Sequence, residues 1–144
     1  MRTRSQTDAI RVLKQVRDIR DAASTDAAPT DLKIRYAALA YRFPLLILRN
    51  GLQQTIGFLE GKAGSDAASA EYCFLRHIAE MLDVDPRELS EVIANAGLAD
   101  YRRHTRRCLS VAIWYRRFAE SLLGLDPTGN ATMEDEDVDT DATT

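Results

Sequence analysis

Cysteine and histidine are scarce in these 144 residues: two of each, Cys73, His77, His104 and Cys108. Two cysteines cannot build the disulfide framework of a small secreted module, and in a reducing compartment both stay thiols. No apolar run approaches the roughly 18 residues of a membrane span. The first residues, Met1 to Asp8, lead into charged helical sequence without the apolar core of a signal peptide. A soluble, cytoplasmic chain without membrane contact is the expectation. Glycine-rich phosphate loops, a Gly-x-Ser-x-Gly elbow and a His-Glu-x-x-His motif are missing as well. The acids Glu71, Glu80, Glu88 and Glu91 fall at helical spacings that predict solvated faces rather than a catalytic pair. Neither catalysis, cofactor nor small-molecule substrate is therefore expected.

Base is absent from one end. Residues 126–144 hold seven of the 22 acids and no Lys or Arg, which leaves 19 bases against 15 acids in residues 1–125. The tail is acidic, Thr-rich and without aromatics, a composition that predicts disorder. The chain thus divides into a domain at 1–125 and a tail at 126–144. Sixteen of the 19 bases are arginine, whose planar fork suits phosphate and carboxylate. A 16.1 kDa chain with 45% apolar residues can bury one core without a metal.

Along residues 1–125 apolar positions recur at three and four, and no alternating run of strand length occurs. The fold class is all-α, a compact bundle of about five to six helices. Ser5 or Thr7 caps the first helix, with Ile10, Leu13, Val16 or Arg17, and Arg20 on its inner face. A small-residue connector ends at Pro29, and Thr30 or Asp31 caps a second helix bearing Ile34, Ala38, Tyr41 and Leu45, flanked by Tyr36 and Phe43. Pro44 kinks this helix or starts a third, over 45–62, apolar at Leu45, Leu48, Leu52, Ile56 and Leu59. A loop over 61–69 precedes a helix over 70–82 that buries Leu75, Ile78, Ala79 and Leu82. Asp85 and Pro86 open a short helix that Gly97 closes in the left-handed conformation. The last helix, over 100–123, carries Tyr101, Cys108, Ala112, Tyr115, Ala119 and Leu122 on one side.

Opposite that side lie Arg102, Arg103, Arg106, Arg107, Arg116 and Arg117, with Trp114 near Arg103 and Arg107 by helical spacing. Basic residues with an interleaved aromatic suit a phosphate-tracking surface; Leu109 and Ile113 on the same side suit a subunit contact. A second basic set, Arg35, Arg42, Arg49 and Lys62, accompanies Asn50, Gln53 and Gln54. Gly51 inside an apolar helix costs about 1 kcal/mol, so close helix packing at Gly51 and Gly57, or approach of a ligand backbone, has to compensate. Cys73-x-x-x-His77 and His104-x-x-x-Cys108 are each one helical turn long and could clasp zinc from adjacent helices. Cys73 and His77 fall toward the polar side of their helix and His104 and Cys108 toward the apolar side, so no bound metal is expected.

Two blocks are specific in combination. The first is Phe43-Pro44-Leu45-Leu46-Ile47-Leu48-Arg49-Asn50-Gly51-Leu52-Gln53-Gln54-Thr55-Ile56-Gly57-Phe58-Leu59, followed by Lys62. The second is Tyr101-Arg102, Thr105 and Leu109, then Trp114-Tyr115-Arg116-Arg117-Phe118-Ala119-Glu120. Over roughly residues 5–123 the chain resembles the small all-helical subunit of the type III-B CRISPR effector, the Cmr or RAMP-module complex. The resemblance implies a non-catalytic antiviral subunit that stacks in several copies beside other Cmr subunits. Such a subunit lines the channel of guide RNA and target RNA and grips the target-strand backbone without reading sequence. The residues expected to meet RNA are Arg42, Arg49, Lys62, Arg103, Arg106, Arg107 and Arg117. At Arg107 the family often has an acid, and this departure makes the face more basic. The alternative is a free-standing helical adaptor whose arginine face binds an acidic protein.

Overall fold

A computed structural model describes residues 1–23 and 29–128. The expected connector over 24–28 and most of the acidic tail lie outside these. Six α-helices follow in order: α1 Arg4–Ala23, α2 Pro29–Asn50, α3 Leu52–Ala63, α4 Ala70–Met81, α5 Leu89–Asn95 and α6 Leu98–Ser121, with a 3-10 turn Pro86–Glu88 before α5. No strand occurs among the described residues, so the fold is all-α.

The α1 cap is Thr3 rather than Ser5 or Thr7. Gln6 N–H donates to Thr3 Oγ1 at 3.1 Å and Thr3 N–H donates to Gln6 Oε1 at 2.8 Å, a reciprocal capping box. The buried face of α1 also differs from the apolar reading: it is Asp8, Val12, Gln15, Val16 and Ile19, while Ile10 is exposed. Two polar residues belong to the inner face because partners inside the bundle satisfy them, so counting apolar residues alone turns the helix.

In α2 the inner side chains are Tyr36, Ala37, Leu39, Ala40, Tyr41, Phe43 and Ile47, and Leu45 points to solvent. Pro44 does not start a third helix, since α2 continues through it to Asn50. The break falls at Gly51, whose φ of +84° only glycine adopts readily. It resets the helical phase, which is why Leu45 and Leu48 are exposed while Leu52, Ile56 and Leu59 are buried.

Helix α4 buries Leu75, Ile78 and Ala79, with Leu82 just beyond its end, as the spacing predicts. It also buries Glu71, Cys73 and His77, against the solvated or polar positions expected for them. Phe74 is the hub: its ring lies 5.5 Å from Tyr36, 5.0 Å from Phe43 and 5.3 Å from Tyr115, joining α2, α4 and α6. Gly97 has φ −66° and precedes α6 in extended backbone, so it does not close α5 as a left-handed cap. After α6 the chain reverses at Gly124, φ +65°, and Leu125 returns to the core.

Pairwise contacts set the helix directions. Asp8 meets Arg107 and Gln15 meets Tyr115, so α1 runs parallel to α6. Tyr41 meets Arg116 while Gln53, past the end of α2, meets Tyr101, so α2 runs antiparallel to α6. Arg11 and Gln15 reach the carbonyls of Glu80 and His77, which makes α4 antiparallel to α1. Helix α3 packs on α2, α4 and α5. No helix among the described residues is long and apolar enough to cross a membrane.

Candidate nucleic-acid interface

The seven basic residues expected to meet RNA are not equivalent. Arg42 and Arg49 are exposed on α2, seven residues apart and therefore on one face of the helix, with Leu45 between them. Arg106 and Arg117 are exposed on α6, and Arg102 and Arg116 share that surface. Because α2 and α6 pack side by side and antiparallel, Arg42 lies toward the Arg116 end and Arg49 toward the Arg102 end. None of Arg42, Arg49, Arg102, Arg106, Arg116 and Arg117 has an ion-pair partner within 4 Å among the described residues. Their full charge faces water.

Arg103 is exposed but holds Asp100 at 3.1 Å. Lys62 stands apart on α3, where its ammonium lies 5.6 Å from the centre of the Phe58 ring. Arg107 leaves the exposed set altogether. Both of its terminal nitrogens donate to the Asp8 carboxylate, one at 2.8 Å, with side chains only 14% and 4% exposed. This hydrogen-bonded pairing raises the pKa of Arg107 further. Where the resemblance puts an acid, the chain has a cation that finds its own acid on α1.

Trp114 is half-buried, stacked on Phe118 at 5.8 Å, and the Arg117 guanidinium lies 5.5 Å from its ring centre. Helical spacing alone places it near Arg103 and Arg107, whereas its cation is Arg117, three residues on. Arg116 lies 5.6 Å over the Tyr41 ring. Each aromatic thus carries one exposed arginine of the strip. Leu48 and Ile113, 70% and 56% exposed, and Leu45 interrupt the charge with apolar surface.

At the other end of the strip the Asn50 and Gly51 corner docks on Tyr101. Gln53 N–H, an orphan donor in the first turn of α3, donates to Tyr101 Oη at 3.0 Å. A Cβ on Gly51 would sit 3.3 Å from the same oxygen. Thr55 closes the corner by donating its hydroxyl to the Gly51 carbonyl at 2.8 Å. Gly51 thus stands between two helices rather than inside one, so no helix-interior cost arises there, and at Gly57 nothing lies within 4 Å of an added Cβ. Sequence reasoning missed Tyr101 as the cap, because its partner is 48 residues away.

The cysteines and histidines do not converge on a metal. No group of three or more His, Cys, Asp or Glu able to hold an ion forms among the described residues. Tyr36 is fully buried, and its hydroxyl shares a hydrogen bond with His77 Nδ1 at 2.7 Å. Burial, aided by the charge of Arg76, lowers the His77 pKa to about 4, so the ring is neutral. Burial pushes the Cys108 thiol up to about 12 and raises that of Cys73. These thiols are core groups.

Fold and surface together define a small all-α protein with an arginine strip along two antiparallel helices. The family model described as CRISPR-associated protein (Cas_Cmr5) matches residues 4–122, and the chain belongs to this family. It is similar to the CRISPR system Cmr subunit Cmr5 of Thermus thermophilus, with 34% identity over 124 residues that cover 85% of this chain and 98% of the relative. The crystal structure of a CRISPR-associated Cmr5 family protein from the same organism superposes with a TM-score of 0.67 at 33% identity, covering 85% and 98% of the two chains.

Proposed function

We propose that this protein is a non-catalytic structural subunit of a type III-B CRISPR effector complex, stacked in several copies along the guide RNA and target RNA channel. The observation that carries the RNA part is the strip of unpaired arginines on α2 and α6. An exposed guanidinium without a carboxylate gains most from a phosphate, and a row of them suits a backbone rather than a single ion. The contacts assigned to target-strand phosphate are Arg42, Arg49, Arg106 and Arg117, with Arg102 and Arg116 added by their place in the strip. Arg103 and Lys62 are auxiliary, and Arg107 is a structural cation. Leu45, Leu48 and Ile113 supply apolar contact to a neighbouring copy or another Cmr subunit.

Family membership and the likeness to a Cmr subunit support this reading. Isolation of the tagged chain from its own cells at moderate salt tests it. Co-purification of RAMP-type subunits with short RNAs sharing a repeat-derived 5′ tag is the expected result. Recovery of an acidic protein that excess RNA fails to displace would establish the adaptor instead.

A further inference from the structure

The last described residues bring an acidic chain out beside the arginine strip. Tyr41 Oη donates to the Leu125 carbonyl at 2.9 Å, and the same Tyr41 ring carries the Arg116 guanidinium at 5.6 Å. Leu125 N–H donates back to the Ala119 carbonyl at 3.5 Å, which ties the turn to the end of α6. Thr128 then donates to Asp126 in a local turn. The chain therefore leaves the folded body at the Arg42 and Arg116 end of the strip.

The sequence beyond Thr128 is opposite to the strip in charge and comparable to it in length. Residues 129–144 contain Glu134, Asp135, Glu136, Asp137, Asp139 and Asp141 and no base. The six residues that follow Thr128, ending at Glu134, reach at most about 22 Å. From Arg102 to Arg116 the helix rises about 21 Å, and an extended run over 134–141 covers about 25 Å. Within the strip, Arg102 and Arg106 stand at i and i+4, where like charges repel. A polyanion laid along them relieves that repulsion.

We propose that the acidic run at 134–141 docks in cis on the strip formed by Arg42, Arg49, Arg102, Arg106, Arg116 and Arg117. There its carboxylates stand in for RNA phosphate until a longer polyanion displaces them. The competition with RNA rests on the RNA reading of this face; the docking itself rests on charge, exit point and reach. A short tether holds the run at an effective concentration of order millimolar, enough to suppress weak, indiscriminate RNA binding by a single subunit. In an assembled stack, where strips from successive copies meet one continuous strand, RNA wins by avidity.

The test uses the full chain and a full-length variant carrying Glu134→Gln, Asp135→Asn, Glu136→Gln, Asp137→Asn, Asp139→Asn and Asp141→Asn. A spin label on Thr140→Cys reports where the tail lies, since native Cys73 and Cys108 are buried and leave the new thiol as the reactive one. Amide signals around Arg102, Arg106, Arg116, Arg117 and Arg42 should broaden selectively in the native-charge chain and recover in the neutralised one. Affinity for a 20-nucleotide oligouridylate should rise about tenfold on neutralisation at low salt, with the difference closing as salt is added. Absent or uniform broadening overturns the docked tail, whatever the RNA does. Equal RNA affinity of the two chains overturns the competition. Selective broadening with no RNA binding by either chain keeps the docked tail and removes the RNA reading of the face.

Discussion

Arg106 and Arg107 are neighbours with opposite duties. Arg107 neutralises the buried Asp8 carboxylate and ties α1 to α6 through two hydrogen bonds. Its replacement by alanine strands a carboxylate in the core, and a loss of about 3–5 kcal/mol in unfolding free energy is expected from denaturant melts. Arg106→Ala, on an exposed site without an ion pair, should stay within about 0.5 kcal/mol of the parent. Composition showed six arginines on α6 but not this division, because Asp8 is 99 residues away in sequence. His77 supplies a pH dependence. Between its ordinary pKa of 6.5 and its folded value of about 4, the unfolded chain binds a proton that the folded chain excludes. Unfolding free energy therefore rises with pH across that window. Stability on this account is complete above pH 6.5 and declines as pH falls toward 4, by roughly 3 kcal/mol in total. His77→Gln should flatten that part of the pH profile, and a slope as steep as the parent's would assign the effect to other groups.

Among the elements, the corner between α2 and α3 is the most exacting. Gly51→Ala forces a Cβ into left-handed backbone and against the Tyr101 hydroxyl, a cost of about 1–3 kcal/mol. Tyr101→Phe keeps the ring and removes the acceptor for Gln53 N–H, at about 1 kcal/mol. Thermal melts of both variants check these values, and a neutral Gly51→Ala would show that the corner is slack. Helix α4 was legible in its bounds and in the burial of Leu75, Ile78 and Ala79, but the burial of Glu71, Cys73 and His77 was not. Helices α1 and α2 were legible as helices but not in phase. Asp8 and Gln15 are buried against hydrophobic expectation, and Leu45 and Leu48 are exposed against it. Polar burial depends on partners from distant sequence, and the apolar exposure here follows from the phase change at Gly51, which a single helical period read through 45–62 does not register.

For the whole molecule, the arginine strip exists only because α2 and α6 lie antiparallel. Sequence spacing identified the basic face of each helix. It could not show that the two helices lie side by side and antiparallel, or that Arg107 turns inward. The two motif blocks of the resemblance correspond to the α2–α3 corner and to α6, which meet at Tyr101, so much of what makes the family recognisable is the joint that fixes the strip's geometry. Exposed Leu48 and Ile113 lie within that strip. Leu48→Glu should weaken incorporation into the effector complex while leaving the helicity of the isolated chain unchanged, as co-purification and circular dichroism would show. The central claim is that the strip grips RNA phosphate. Its most direct test is the salt dependence of target-RNA affinity for the assembled complex carrying the parent chain or its Arg106→Ala, Arg117→Ala variant. Two lost phosphate contacts per copy should weaken binding and lower the slope of log affinity against log salt by about 0.7 for each contact. An unchanged affinity and slope in a complex of normal composition would contradict the claim.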